Sequence, residues 1–255
     1  MPELHAVWLI FPLVFLGGFV DSIAGGGGII TIPAYLFTGM PAHFAMGCNK
    51  LSASVGTTGS TIRFFRHGAM DLKVALLAVV GSFAGSTIAS RIVLLLDDKV
   101  IKAMVLIILP FVALVVLFKK EPGTGALQPD ANRSLIRTIF LAVMIGLLIG
   151  GYDGLLGPGT GTFAIIAFTA LMGYDLKTAS GNAKALNLAS NYAALITFVQ
   201  AGTIYYEIAL PAALCGLAGN FLGSGLAIRK GASFIRPFLI VVLVLIFVSL
   251  AVEIL

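Results

Sequence analysis

The chain has 255 residues, 59% of them hydrophobic and only 11% charged, with a mean hydropathy of +1.06. A soluble domain is about 45–50% apolar and about 25% charged, so this balance excludes an ordinary soluble protein and indicates a membrane protein. The formal charge of +5 does not signal nucleic acid, because Lys and Arg lie in short clusters between apolar runs.

The first run, MPELHAVWLIFPLVFLGGFV, lacks the positive charge and the small-residue cleavage site of a signal peptide, so it is expected to remain as a first helix over about 4–20. It leads into VDSIAGGGGIITIP (20–33), where a carboxylate and four consecutive glycines interrupt apolar sequence. A short run, 29–40, follows. Longer runs occupy 43–66, 72–96 and 100–118, then 135–152, 177–200, 206–228 and 235–254. Most have the length that a helix needs to cross about 30 Å of hydrocarbon. The short run 29–40 and its later counterpart 162–173 would rise only about 18 Å as helices, too little to span unaided. KKEPGTGALQPDANRS (119–134), rich in Pro, Gly and charge, is the natural boundary between a first repeat, 1–118, and a second, 135–255.

The halves repeat each other. Asp21 matches Asp153, and Gly25 and Gly27 match Gly157 and Gly159. After a two-residue insertion Gly47 matches Gly181 and Lys50 matches Lys184, and further on Gly81, Gly85 and Arg91 match Gly219, Gly223 and Arg229. Eleven of the sixteen basic residues fall on one side of the expected topology: Arg63, Arg66, Lys73, Lys119, Lys120, Arg133, Arg137, Lys177, Arg229, Lys230 and Arg236. The positive-inside rule then puts the linker in the cytoplasm and both termini outside. An odd number of segments per half inverts the second half. The expected fold is an all-α polytopic membrane protein of two inverted-topology repeats, with broken or re-entrant helices after Asp21 and Asp153.

Inverted repeats with broken helices characterise secondary transporters, whose site lies near the midplane between the repeats. Glycine clusters at membrane depth mark backbone that leaves the helix and must be satisfied by protein, water or substrate. Gly25, Gly26, Gly27 and Gly28, and the GPGTG stretch containing Gly159, Thr160 and Gly161, each precede a short helix. They can therefore present N–H groups to an anion. GSFAG (81–85) and GNFLG (219–223) are read as close helix packing instead.

The second constellation is GCNKLSAS (47–54) with GNAKALNLASN (181–191). Lys50 and Lys184 each enter about 10 Å into a segment, from opposite sides, with Asn49, Asn182, Asn187 and Asn191 nearby. Buried lysines in a membrane are functional candidates by default. Two roles are open to them: positive charge for an anion, or charge pairing of Lys50 with Asp21 and of Lys184 with Asp153. Asp21 and Asp153 could carry protons, pair with the lysines, or cap the glycine loops. Cys48, equivalent to Asn182, is expected to be a small packing residue. No metal-ligand cluster, nucleophile elbow or phosphate loop is present, so neither an enzyme nor a cofactor is expected.

At DSIAGGGGIITIPAYL, A-x-G-x-NKL (45–51), YDGLLGPGTGTF and A-x-GNAKALNLASN (179–191), the chain resembles the TauE/SafE-type sulfite exporter family, also called the toluene sulfonate uptake permease family. The resemblance covers essentially the whole chain. It implies a bacterial inner-membrane carrier of sulfite or organosulfonates. The resulting expectation is an alternating-access exporter of a small anion, with the lipid bilayer as its surroundings, no nucleic-acid partner, and small-residue faces that permit a homodimer. Two rival readings are a channel-like anion pore and an uptake permease; a scaffold role would leave the intramembrane charges unexplained.

Overall fold

A computed structural model describes residues 4–118 and 134–230. The expected linker, apart from Ser134, and the expected last segment at 235–254 lie outside the described residues. Within them the chain is helical, without strands: α1 (Leu4–Ala24), α2 (Gly28–Leu36), α3 (Ala42–Arg66), α4 (Leu72–Val93), α5 (Asp98–Phe118), α6 (Leu135–Leu155), α7 (Thr160–Met172), α8 (Leu176–Gln200) and α9 (Tyr206–Lys230). Every apolar run within these residues becomes one helix. Short turns join α3 to α4 and α7 to α8, and Asp71 and Asp175 cap the following helices through the N–H groups two and three residues on. Burial alone would raise the Asp175 carboxyl, but hydrogen bonds from Thr178 and the Lys177 N–H outweigh it and hold the group below the usual carboxylate range.

The glycine clusters reverse the chain. Gly27 N–H faces Asp21 Oδ1 at 3.4 Å, and a side chain at Gly17 would collide with Thr31, so α2 folds back along α1. The second half does the same. Tyr152 on α6 packs edge-on against Phe163 on α7 at 5.3 Å, and its hydroxyl donates to Pro158 O. Both short helices re-enter beside the helix that precedes them.

The tips of the two hairpins meet. Gly25 O accepts hydrogen bonds from Gly161 N at 3.1 Å and Thr162 N at 3.4 Å. Gly25 has φ +75°, and a Cβ there would lie 2.3 Å from the Gly161 carbonyl carbon. Left-handed backbone and absent space both demand glycine at this contact.

Small residues bring the long helices together. A side chain at Gly81 or Gly85 of α4 would strike Val143 O or Leu147 O of α6. Gly219 and Gly223 of α9 approach Phe15 O and Phe19 O of α1 in the same way. The expected packing role of GSFAG and GNFLG is seen in these contacts. Registers advance together in both pairs, so α4 runs parallel to α6 and α1 parallel to α9. Ser82 and Ser86 donate to Leu186 O and Ser190 O, which sets α8 parallel to α4. Thr61 reaches Lys184 O while Thr58 meets Tyr192, so α3 runs antiparallel to α8. Gly216 of α9 faces Ser52 O and Gly56 of α3 faces Asn220, so α9 runs parallel to α3; hence α1, α3 and α9 point one way and α4, α6 and α8 the other. Arg63, Arg66, Lys73, Arg137, Lys177 and Arg229 gather at one end of the bundle as a result.

Polarity is turned inside out. Trp8, Val80, Ile107, Ile136, Phe140 and Leu214 are exposed on the outside, whereas Lys50 and Lys184 are each 1% exposed in the interior. Three of the described helices, Leu72–Val93, Leu135–Leu155 and Tyr206–Arg229, are long and apolar enough to cross a membrane.

Gly25→Ala is expected to abolish the folded state, because alanine would meet both left-handed strain and the Gly161 backbone. Gly39 also has positive φ but open space around it, so Gly39→Ala should cost only about 1–2 kcal/mol. Thermal melting of the detergent-solubilised variants distinguishes the two; equal losses would contradict the tip contact.

Candidate functional site

Each buried lysine is held by the aspartate of the other half. Lys50 Nζ on α3 donates to Asp153 Oδ2 and Asp153 O, both at 2.7 Å, and to Asn191 Oδ1 at 3.2 Å. Lys184 Nζ on α8 donates to Asp21 Oδ2 at 2.8 Å and to Asp21 O. The within-half pairing of Lys50 with Asp21 and Lys184 with Asp153 is therefore corrected. Asp21 and Asp153 stand in the last turns of α1 and α6, the negative ends of helices that break at the glycines. Each ammonium thus meets a carboxylate and a terminal carbonyl of the same broken helix. Lys50 has its three donors engaged, so its charge is compensated inside the protein.

Next to this pair lies a small cavity of about 40 Å³, bounded by α1, α3, α8, α9 and the two hairpin tips. Of the residues expected to bind substrate, Lys50, Asn49, Asn187, Gly27 and Gly28 line it, together with Asp21 and Asp153. Gly28 opens α2, so the positive end of that helix faces the space. Asn187 accepts from Asn191 Nδ2, and the polar face of α8 is thereby joined to Lys50.

Other expected site residues do different work. Asn182 Oδ1 accepts from Asp71 N at 2.9 Å, which fastens the α3–α4 turn to α8 away from the cavity. Its sequence counterpart Cys48 accepts from Tyr205 N, fastening the α8–α9 turn to α3. Thr160 donates to Asp153 Oδ1 and fixes that carboxylate, while the Gly161 N–H is spent on Gly25 O. Gly26, Gly159 and Lys184 are not among the lining residues. The second glycine cluster therefore offers the cavity Gly157 in place of Gly159, Thr160 and Gly161. Sequence reasoning passed over Thr31, Thr57 and Asn220, all of which line the cavity. The only signal for them was a polar residue in an otherwise apolar or small-residue stretch. Among the described residues no cluster of His, Cys, Asp and Glu could hold a metal ion.

An apolar exterior around a centre of crossed ion pairs and a polar cavity defines a multi-pass membrane protein. The chain belongs to the TauE/SafE sulfite exporter family, whose model matches residues 10–250. It is 35% identical over 240 residues to the probable membrane transporter protein ORF9 of Sinorhizobium, covering 93% of this chain and 89% of that one. It is 32% identical over 233 residues to a probable membrane transporter protein of Haemophilus influenzae, with 91% and 89% covered. With the probable membrane transporter protein YfcA of Escherichia coli K12 it shares 33% identity over 234 residues, 92% of this chain and 85% of that one. No solved structure matches significantly. Family and relatives together make this chain a membrane transporter.

Removing one member of a buried pair strands the other charge. Asp153→Leu alone is expected to cost about 3–5 kcal/mol, and adding Lys50→Met should recover a large part of it. Thermal unfolding of the two single variants and the double variant in detergent reads this coupling. Additive losses would show that the pair does not hold the halves together.

Proposed function

We propose that the protein is a secondary carrier that exports a small anion such as sulfite or an organosulfonate by alternating access. The observation that carries this reading is the central cavity. It lies where the hairpin tips meet, faces the positive end of α2, and holds the amides of Asn49 and Asn187 beside the paired Lys50. Such a space suits a small anion: the Asn49 and Asn187 amides can donate to its oxygens, the α2 dipole favours its charge, and both carboxylates at the cavity are already paired with lysines. The family description, sulfite exporter, supports the choice of a sulfur oxyanion and of export.

The carrier consists of two inverted halves, 1–118 and 135–255, joined by a cytoplasmic linker at 119–134. Support for the inversion comes from helix direction, since α3 and α8 are equated by the repeat and run antiparallel. α1 and α6, and α4 and α9, are likewise equated and likewise opposed. The basic end of the bundle faces the cytoplasm of a bacterial cell, with both termini outside the inner membrane. Transport rocks one half against the other about the hairpin tips. Lys50 and Lys184 exchange partners between Asp153 or Asp21 and the substrate, and Asp21 or Asp153 takes up a proton when its lysine turns away.

Reconstituted protein should show saturable ³⁵S-sulfite uptake into liposomes, accelerated by unlabelled sulfite trapped inside. Lys184→Gln, checked for monodispersity, should lower that exchange about tenfold or more. Flux that neither saturates nor responds to trapped sulfite would identify a pore. No flux of sulfite or of organosulfonates would overturn the anion reading.

A further inference from the structure

Asn220 sits on α9, between the glycines that pack on α1, and is 3% exposed. Its Nδ2 donates to Gly216 O, one turn earlier, at 3.1 Å. That bond fixes which way the amide points, because a backbone carbonyl only accepts. The nitrogen edge is also wedged between two helices. A Cβ at Gly18 of α1 or Gly56 of α3 would lie 2.8 or 2.5 Å from Nδ2. The remaining atom, Oδ1, is buried and has no hydrogen-bond partner among the described residues. Asn220 lines the same cavity as Gly28, Asn49 and Lys50.

A buried carbonyl oxygen without a donor is destabilising, and native structures rarely keep one without a use. A bare oxyanion cannot supply that donor, and its lone pairs would oppose the negative end of the amide dipole. We infer that Asn220 is a specificity residue: its Oδ1 accepts a hydrogen bond from a donor on the transported anion. The substrate is then a small anion that also carries a hydroxyl or ammonium group, with its negative end at α2 and its donor at α9. This deepens the reading of the cavity as an anion site and rests on it. At the matching position of the other half stands Ser82, which donates to Leu186 O. The cavity is therefore chemically polarised although the halves repeat.

Two anions that differ by one donor test this. Ethanesulfonate and 2-hydroxyethanesulfonate, as sodium salts at equal ionic strength, are titrated into the purified full chain in detergent by calorimetry. The hydroxylated anion should bind about tenfold more tightly, as expected when a site built to accept a hydrogen bond meets a ligand lacking the donor. Asn220→Leu, close in size and without the acceptor, should bring the ratio near one; Asn220→Ala gives the same readout if the leucine variant does not fold. Equal affinities in the unmodified protein would overturn the assignment while leaving the anion site intact. A ratio that persists in both variants would overturn it as well. Absence of binding by both anions would remove the anion reading and this inference together.

Discussion

Two ammonium groups in the interior of a membrane protein need partners, and the architecture is arranged around supplying them. A lysine at membrane depth is costly unless it is paired or solvated. Here each one reaches across to the other half and finds an aspartate in the last turn of a helix that has just broken. The break is part of the solution, because it leaves terminal carbonyls and a negative dipole end where an intact helix would present neither. Thus Lys50 meets both the side chain and the backbone oxygen of Asp153, and Lys184 does the same with Asp21. Glycines at the tips then let the two broken ends touch, Gly25 against Gly161.

These crossed pairs make the halves mutually dependent. Neither hairpin neutralises its own lysine, so the centre of the molecule belongs to both repeats at once. Small-residue seams extend that dependence outward, α4 upon α6 and α9 upon α1. A rocking motion of the kind proposed has to keep these seams or exchange them as units, and α4–α6 and α1–α9 each join helices of different halves. The cavity beside Lys50, with Lys184 outside its wall, shows that the two sides of the centre are not in equivalent environments.

Much of this was legible in the residues. Helix positions followed from run length and hydropathy, since a bilayer imposes a minimum span and leaves little room for other backbone. The repeat offsets singled out the two Asp–Gly clusters and the two lysines. Partner choice was not legible, because a repeat alignment equates Lys50 with Lys184 without saying whether a lysine bonds within its half or across. Asn182 and Asn187 were grouped by proximity in sequence, yet five positions turn a helix by about 140°, so they face different neighbours. Asn187 and Asn191, four apart, do share a face and a hydrogen bond. Asn220 was hidden inside a glycine motif whose packing role accounted for the stretch without it.

The reach of the crossed pairs has a consequence for how the protein is made. Lys50 leaves the ribosome 103 residues before Asp153, and Asp21 precedes Lys184 by 163. The first half by itself lacks the folded-state partners of Lys50 and Asp21, and an unpaired charge at the centre of a bilayer is unfavourable by about 2.5–3.5 kcal/mol. A chain ended before Asp153 therefore lacks the partners that Lys50 and Asp21 have in the folded protein. Only a chain that extends through Lys184 contains the partners of all four charges.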